Sequence, residues 1–189
     1  MSITTMLDVA SPSIRLTGEI DMPVCYALID EMKLLHDYYR FRTIELQIDS
    51  PGGSADALGY LVLSLRDWRE GNGRTLKTVA LNQACSAAAL LLSLGTMGHR
   101  QASPASRLLY HPMRTEFSQG TVRTGAQLRM TSRLIEEWDG KFLDMLASHV
   151  CREESERPAY RRKLKRLFQK ERFIEPNEAV SYCLIDKVV

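Results

Sequence analysis

Hydrophobic and polar positions along the 189-residue chain change period several times. Thr43 to Ile48 (TIELQI) alternates apolar and polar with period two, which predicts a strand with one buried face. Val24 to Leu35 places its apolar residues at helical spacing. The strand breaks at Ser50-Pro51-Gly52-Gly53, and a helix follows through Trp68 with Ser54 as its N-cap. Gly71-Asn72-Gly73 reads as a turn. Further strands are expected at Ser13 to Leu16, Leu76 to Leu81 and Arg107 to Tyr110, and an all-apolar helix from Ala84 to Leu94 that ends near Gly95. From about Gly125 to Val150 the pattern predicts one long amphipathic helix, its stripe made by Leu128, Thr131, Ile135, Trp138, Phe142, Met145 and Leu146. A charged segment comes next, acidic at Glu153, Glu154 and Glu156 and basic from Arg161 to Arg166. Phe173 to Val189 closes with a strand-helix-strand pattern. Strands alternating with helices make an α/β fold, and no internal repeat is visible.

Composition narrows the class. The chain is 44% hydrophobic and 25% charged, with only 11 Gly and 7 Pro, which excludes a disordered or collagen-like protein. At this length a single domain buries roughly 70% of its unfolded surface. A net charge of +2 gives no general case for nucleic acid. The basic run after position 160 adjoins its own acidic residues and reads as a solvated helix. Cys25, Cys85, Cys151 and Cys183 have no CxxC spacing, so reduced thiols are expected ahead of disulfides or zinc. The opening residues, MSITTMLDVASPS, carry no Lys or Arg ahead of their apolar positions, and the most apolar run, Ala84 to Leu92, is too short to span a bilayer. A soluble, cytoplasmic protein is expected, with no membrane or nucleic-acid partner and no metal.

Three features could carry chemistry. Ser86 sits where a strand turns into an apolar helix, among Ala84, Cys85, Ala87, Ala88 and Ala89. Small neighbours and the free N–H groups of a helix start suit a nucleophile there, although a plain N-cap serine fits the same local sequence. No G-x-S-x-G surrounds it. His111, fixed by Pro112, ends a strand at the edge of a sheet, where sites commonly form, and a hydrogen-bonded structural histidine is the alternative. Ser50-Pro51-Gly52-Gly53 lets backbone approach a ligand and donate N–H groups to an anion, or is a tight turn. It is neither of the two glycine-rich phosphate loops. Cys85 adjoins Ser86, but on a helix the next residue points about 100° away, so it packs as a small thiol.

Taken together these segments resemble the ClpP family of self-compartmentalising serine peptidases. The resemblance rests on IDSPGGS (Ile48 to Ser54), QACSAAALLLSLG (Gln83 to Gly95) and ASPASRLLYHP (Ala102 to Pro112). RLTGEID (Arg15 to Asp21) and the closing segment from Phe173 to Val188 fit in the same order, so it covers the chain from about residue 13 to the end. It implies a ClpP/crotonase-type spiral of β-β-α units with a protruding long handle helix. One peptidase domain over 1–189 is implied, with a head at about 13–122 and 171–189 and the handle helix and charged insertion at about 123–170.

Residue by residue, the resemblance makes Ser86 the nucleophile and His111 the general base, with the backbone N–H groups of Gly53 and Ala87 as the oxyanion hole. The family places an aspartate two residues before its phenylalanine. Here that position is Glu171, one methylene longer, the candidate orienting acid. Pro112 follows the histidine directly, the stretch to the long helix is longer, and residues 151–166 look inserted. The function implied is a serine endopeptidase inside a heptameric ring or stacked rings, acting on peptides or unfolded proteins delivered by an AAA+ unfoldase. No cofactor is implied in this chain, ATP being used only through that partner. The alternatives are a weak or inactive scaffold subunit of a mixed ring, and a crotonase-type acyl-CoA enzyme of the same fold.

Overall fold

The alternation at residues 43–50 places a strand at the middle of an eight-stranded sheet in the computed structural model, which describes residues 2–7, 12–70, 73–115, 117 and 119–189. In chain order the elements are β1 (Ser2–Met6), β2 (Ser13–Thr17), α1 (Met22–Lys33, continued by a π-helical turn over Leu34–Tyr38), β3 (Thr43–Ser50) and α2 (Ala55–Glu70). They continue with β4 (Thr75–Cys85), α3 (Ala87–Ser93), β5 (Arg100–Ala102), β6 (Arg107–Leu109) and α4 (Gly125–Val150). A short 3₁₀ turn (Glu154–Glu156) leads to α5 (Arg157–Phe168), β7 (Phe173–Ile174), α6 (Pro176–Ser181) and β8 (Lys187–Val188). The chain divides into two compact units, Met1–Tyr110 with Arg172–Val189, and His111–Glu171.

In the first unit the sheet runs β1-β2-β3-β4-β5-β8, parallel throughout except that β1 pairs antiparallel with β2. Ile44, Leu46 and Ile48 of β3 are all fully buried, as its period-two pattern requires. β4 is long enough to take two partners in succession: Thr78–Ala80 pair with β5, and Gln83–Cys85 pair with β6. β7 returns antiparallel on β6. Asp21 caps α1 by accepting the Val24 N–H at 3.0 Å, and the Ser54 hydroxyl accepts the Ala57 N–H at 3.4 Å at the head of α2, as expected. The turn at 71–73 lies partly outside the described residues.

Two boundaries differ from the sequence reading. The strand expected at Leu76 to Leu81 continues to Cys85, and the helix expected from Ala84 starts at Ala87. Small apolar residues have no period that separates strand from helix, and here pairing with β6 decides. β5 also escaped notice, because its three residues are Arg, Gln and Ala.

The second unit is built on α4. Thr124 and Gln127 close a capping box at its start, fixing the boundary that the amphipathic pattern predicted. Its carboxyl-terminal half buries Phe142, Leu143, Leu146 and Ala147, and α5 buries Leu164, Leu167 and Phe168. In its amino-terminal half Leu128 of the apolar stripe is exposed, as are Met130 and Leu134 outside the stripe, while Thr131, Ile135 and Trp138 are half-buried. No helix among the described residues is long and apolar enough to cross a membrane.

Candidate active site

Because β4 pairs with β6 up to Cys85, Ser86 must turn the chain into α3 within one residue. It does so at φ 56° and ψ −125°, a conformation that costs a non-glycine residue on the order of 1–3 kcal/mol. Backbone contacts on both sides hold it there. The Ser86 N–H donates to the Leu109 carbonyl at 2.8 Å, and the Ser86 carbonyl accepts from Ala89 and Leu90 at 3.0 and 3.2 Å. Ser86 stands at the N-cap of α3, but its hydroxyl makes no capping hydrogen bond. Strain imposed from both sides on a half-buried hydroxyl is the arrangement expected of a nucleophile presented at a strand-to-helix corner.

Gly52 lies against that corner. A Cβ on Gly52 would stand 2.6 Å from both the Cys85 oxygen and Ser86 Cβ, and 3.2 Å from the Ala87 nitrogen. A Cβ on Gly53 would collide with the Ile20 backbone. The loop is locked by a buried serine: Ser50 Oγ donates to the Gly18 carbonyl at 2.6 Å and accepts the Gly52 N–H at 3.1 Å. Ile20 donates to the Gly52 carbonyl at 2.7 Å, and Ser54 donates to the Ile20 carbonyl at 2.9 Å. Between these bonds the Gly53 N–H takes no partner among the described residues. The Ala87 N–H heads α3, where a helix offers no acceptor. A hydroxyl and two available N–H donors are thus gathered at one corner of the first unit.

Cys85 does not compete with Ser86. Its thiol is buried, and burial pushes it up against the opposing pull of Arg107, so it stays protonated at neutral pH.

His111 and Glu171 belong to the second unit. His111 Nδ1 lies 2.6 Å from the Pro112 carbonyl. A carbonyl only accepts, so Nδ1 carries the proton and the lone pair is left on Nε2, the form a general base needs. Two residues on, the Met113 N–H donates to Asp139 Oδ1 at 2.7 Å, tying the segment after His111 to α4. The Glu171 carboxylate is taken by the Arg114 guanidinium, Oε2 to Nη2 at 2.7 Å, with both side chains exposed. Asp139 is half-buried and lines a cavity of about 380 Å³ with Pro112, Leu143, Arg161, Lys165 and Phe168. Burial pushes its carboxyl above the usual range, against the opposing pull of the Met113 amide, His111 and Lys165. No group of three or more His, Cys, Asp or Glu among the described residues is placed to hold a metal.

The sequence pattern of the Clp protease family matches residues 2–189. The chain belongs to the Clp protease family. It is 32% identical over 148 residues to an ATP-dependent Clp protease proteolytic subunit 4 of Streptomyces avermitilis, covering 78% of this chain and 59% of that one. It is 30% identical over 171 residues to proteolytic subunit 1 of Thermobifida fusca, covering 90% and 71%, and 31% identical to proteolytic subunit 2 of Chlamydia muridarum, covering 90% and 77%. The chain thus spans about six tenths of the length of its Streptomyces relatives. Membership accounts for the α/β sheet and for the 26-residue helix α4.

Gly52 was readable in the sequence as part of Ser50-Pro51-Gly52-Gly53. Asp139 and Arg114 were not: each stands among other charged residues, and only the fold brings it to its partner, 26 and 57 positions away in the chain.

Proposed function

We propose that this protein is a serine-type peptidase of the Clp kind, with Ser86 as nucleophile and His111 as general base. The observation that carries the reading is the corner at Ser86, where a strained serine adjoins Gly52 and the N–H groups of Gly53 and Ala87 have no competing acceptor among the described residues. Ser86 Oγ attacks the peptide carbonyl carbon while His111 Nε2 takes the hydroxyl proton. The carbonyl oxygen becomes an oxyanion that accepts from the Gly53 and Ala87 N–H groups. The intermediate collapses, the C–N bond breaks, and the imidazolium returns its proton to the leaving amine. Water then repeats the sequence on the acyl-enzyme and frees Ser86.

Glu171 is the family-position acid for His111. Its present ion pair with Arg114 is exposed on both sides and worth about 0–1 kcal/mol, so the carboxylate is readily exchanged.

Assembly follows from α4. The exposed Leu128, Met130 and Leu134 leave apolar surface on the amino-terminal half of the helix that further copies of the chain would cover, which supports a ring or stacked rings. The relatives are named as ATP-dependent, which supports an ATP-using unfoldase as the partner that delivers unfolded protein.

The test is Ser86→Ala, compared with the unmodified protein on a fluorogenic peptide and with a fluorophosphonate label. Loss of turnover on the order of 10⁶, with loss of labelling and an unchanged circular dichroism spectrum, is expected. Unchanged hydrolysis by the variant overturns the assignment.

A further inference from the structure

We propose that Asp139 is a positioning residue for His111: it anchors the His111–Met113 segment to α4 through the Met113 amide and sets a negative charge toward the imidazole. The inference rests on the reading of His111 as the general base. A base that takes a proton from Ser86 becomes an imidazolium, and a fixed carboxylate nearby stabilises that form. Two carboxylates bind the chain just after His111, at Met113 and Arg114. Glu171 is engaged by the Arg114 guanidinium, on the surface and open to solvent. Asp139 is half-buried and is held at 2.7 Å by a backbone N–H two residues from His111.

The tautomer and the charge then come from two different groups. The Pro112 carbonyl accepts a hydrogen bond from Nδ1–H and leaves Nε2 free, but it is neutral and gives an imidazolium no countercharge. Asp139 supplies that charge. The groups around it are Glu136 on its own helix, Arg161 and Lys165 on α5, and His111 itself, with Arg114 and Glu171 paired to each other.

A purely structural anchor would not need the charge. An asparagine amide oxygen accepts the Met113 N–H equally well. Burial raises the Asp139 carboxyl above its usual range, so ionising it works against stability.

Asp139→Asn removes the charge and keeps the acceptor, so it separates the two roles. The measurement follows the ring signal of His111 by NMR as pH is varied, in the unmodified protein, Asp139→Asn and Glu171→Gln, with His111→Gln identifying the signal. In Asp139→Asn the midpoint is expected to fall by about half a pH unit or more. The acid limb of kcat/KM for a small peptide should move the same way, with KM nearly unchanged, and the melting temperature should hold or rise. Coincident His111 midpoints in Asp139→Asn and the unmodified protein overturn the proposal, as does a melting temperature that falls while the midpoint stays. The NMR midpoint does not depend on turnover. A shifted midpoint in a protein without peptidase activity therefore sustains the Asp139–His111 coupling and refutes the peptidase reading instead.

Discussion

Two arginine–carboxylate pairs, one in each unit, have the same 2.7 Å separation and opposite surroundings. In the first unit Arg100 is 1% exposed. It binds both Asp186 oxygens, gives a further bond to the Ser93 carbonyl, and ties β5 to the chain just before β8. In the second unit Arg114 and Glu171 are 57% and 47% exposed and make a single contact. The contrast extends to the site. Around Ser86, position is set by sheet register, glycine contacts and buried backbone bonds, none of which depends on a long side chain. Around His111, position is set by a neighbouring carbonyl, an aspartate on α4 and exposed charges. The first arrangement fixes one geometry, and the second can be retuned by a single substitution.

The sharpest way to break the backbone-built corner is Gly53→Ala. The added Cβ meets Ile20 backbone, which has no rotamer to move away, so the loop must shift and carry the Gly53 N–H with it. Turnover should fall by at least about 10²–10³, the typical effect of losing one oxyanion donor. Stability should fall as well. Activity within twofold of the unmodified protein would remove Gly53 from the site.

A second comparison separates the two halves of α4. Phe142 is packed in the buried half, and Trp138 stacks on it at 5.5 Å between ring centroids. Phe142→Asp places a charge in that packing and should cost about 3 kcal/mol or more in a urea melt, whatever the state of assembly. Leu134→Asp lies on the open half and should change chain stability by less than about 0.5 kcal/mol. It should lower the mass seen by light scattering. A mass of 21.5 kDa for the unmodified protein at micromolar concentration would leave the exposed face without its proposed partner.

The buried ion pair predicts a response to pH. Burial pushes the Asp186 carboxyl up, but the hydrogen bonds from the Arg100 side chain and amide outweigh it and hold it below the usual carboxylate range. A carboxyl depressed by folding contributes stability above its unfolded pKa, and that contribution is lost as pH falls through the folded value. Asp186→Asn removes the contribution and leaves a buried guanidinium unpaired, so it should cost about 3 kcal/mol at pH 7. The difference from the unmodified protein should narrow as pH falls below the carboxylate range. A constant difference down to acid pH would mean that Asp186 acts by packing alone.

What the sequence disclosed follows the same division. TIELQI named β3 because a half-buried strand must alternate, and the stripe from Leu128 to Leu146 named α4 because a helix with one apolar face must repeat it. IDSPGGS and QACSAAALLLSLG pointed to the Ser86 corner because close backbone approach demands glycine and alanine. The end of β4 was hidden, since whether Ala84 and Cys85 are strand or helix depends on β6, more than twenty residues later. Nothing in the local sequence marks Arg100 as buried, because Asp186 lies 86 positions away. Asp139 was invisible for a similar reason: a polar position on an amphipathic helix is expected to face water, and only Met113 shows that this one does not.

The smallest effect belongs to the exposed pair, and it bears on the acid of the site. Arg114→Gln removes a cation held to Glu171 by one solvent-exposed contact. Stability should change by less than about 1 kcal/mol, and the coupling measured by Arg114→Gln and Glu171→Gln together should fall further in high salt. The effect on turnover is more telling. If Glu171 also serves His111, the arginine competes with the imidazolium for its carboxylate, and Arg114→Gln should raise kcat by a few-fold while Glu171→Gln lowers it. If Asp139 alone supplies the countercharge, kcat/KM of Arg114→Gln should keep the acid limb of the unmodified protein, and Glu171→Gln should match it. A rise in kcat for Arg114→Gln that persists with Gln at position 171 fits neither account: the arginine would then act on His111 through its own charge, and salt would suppress the difference.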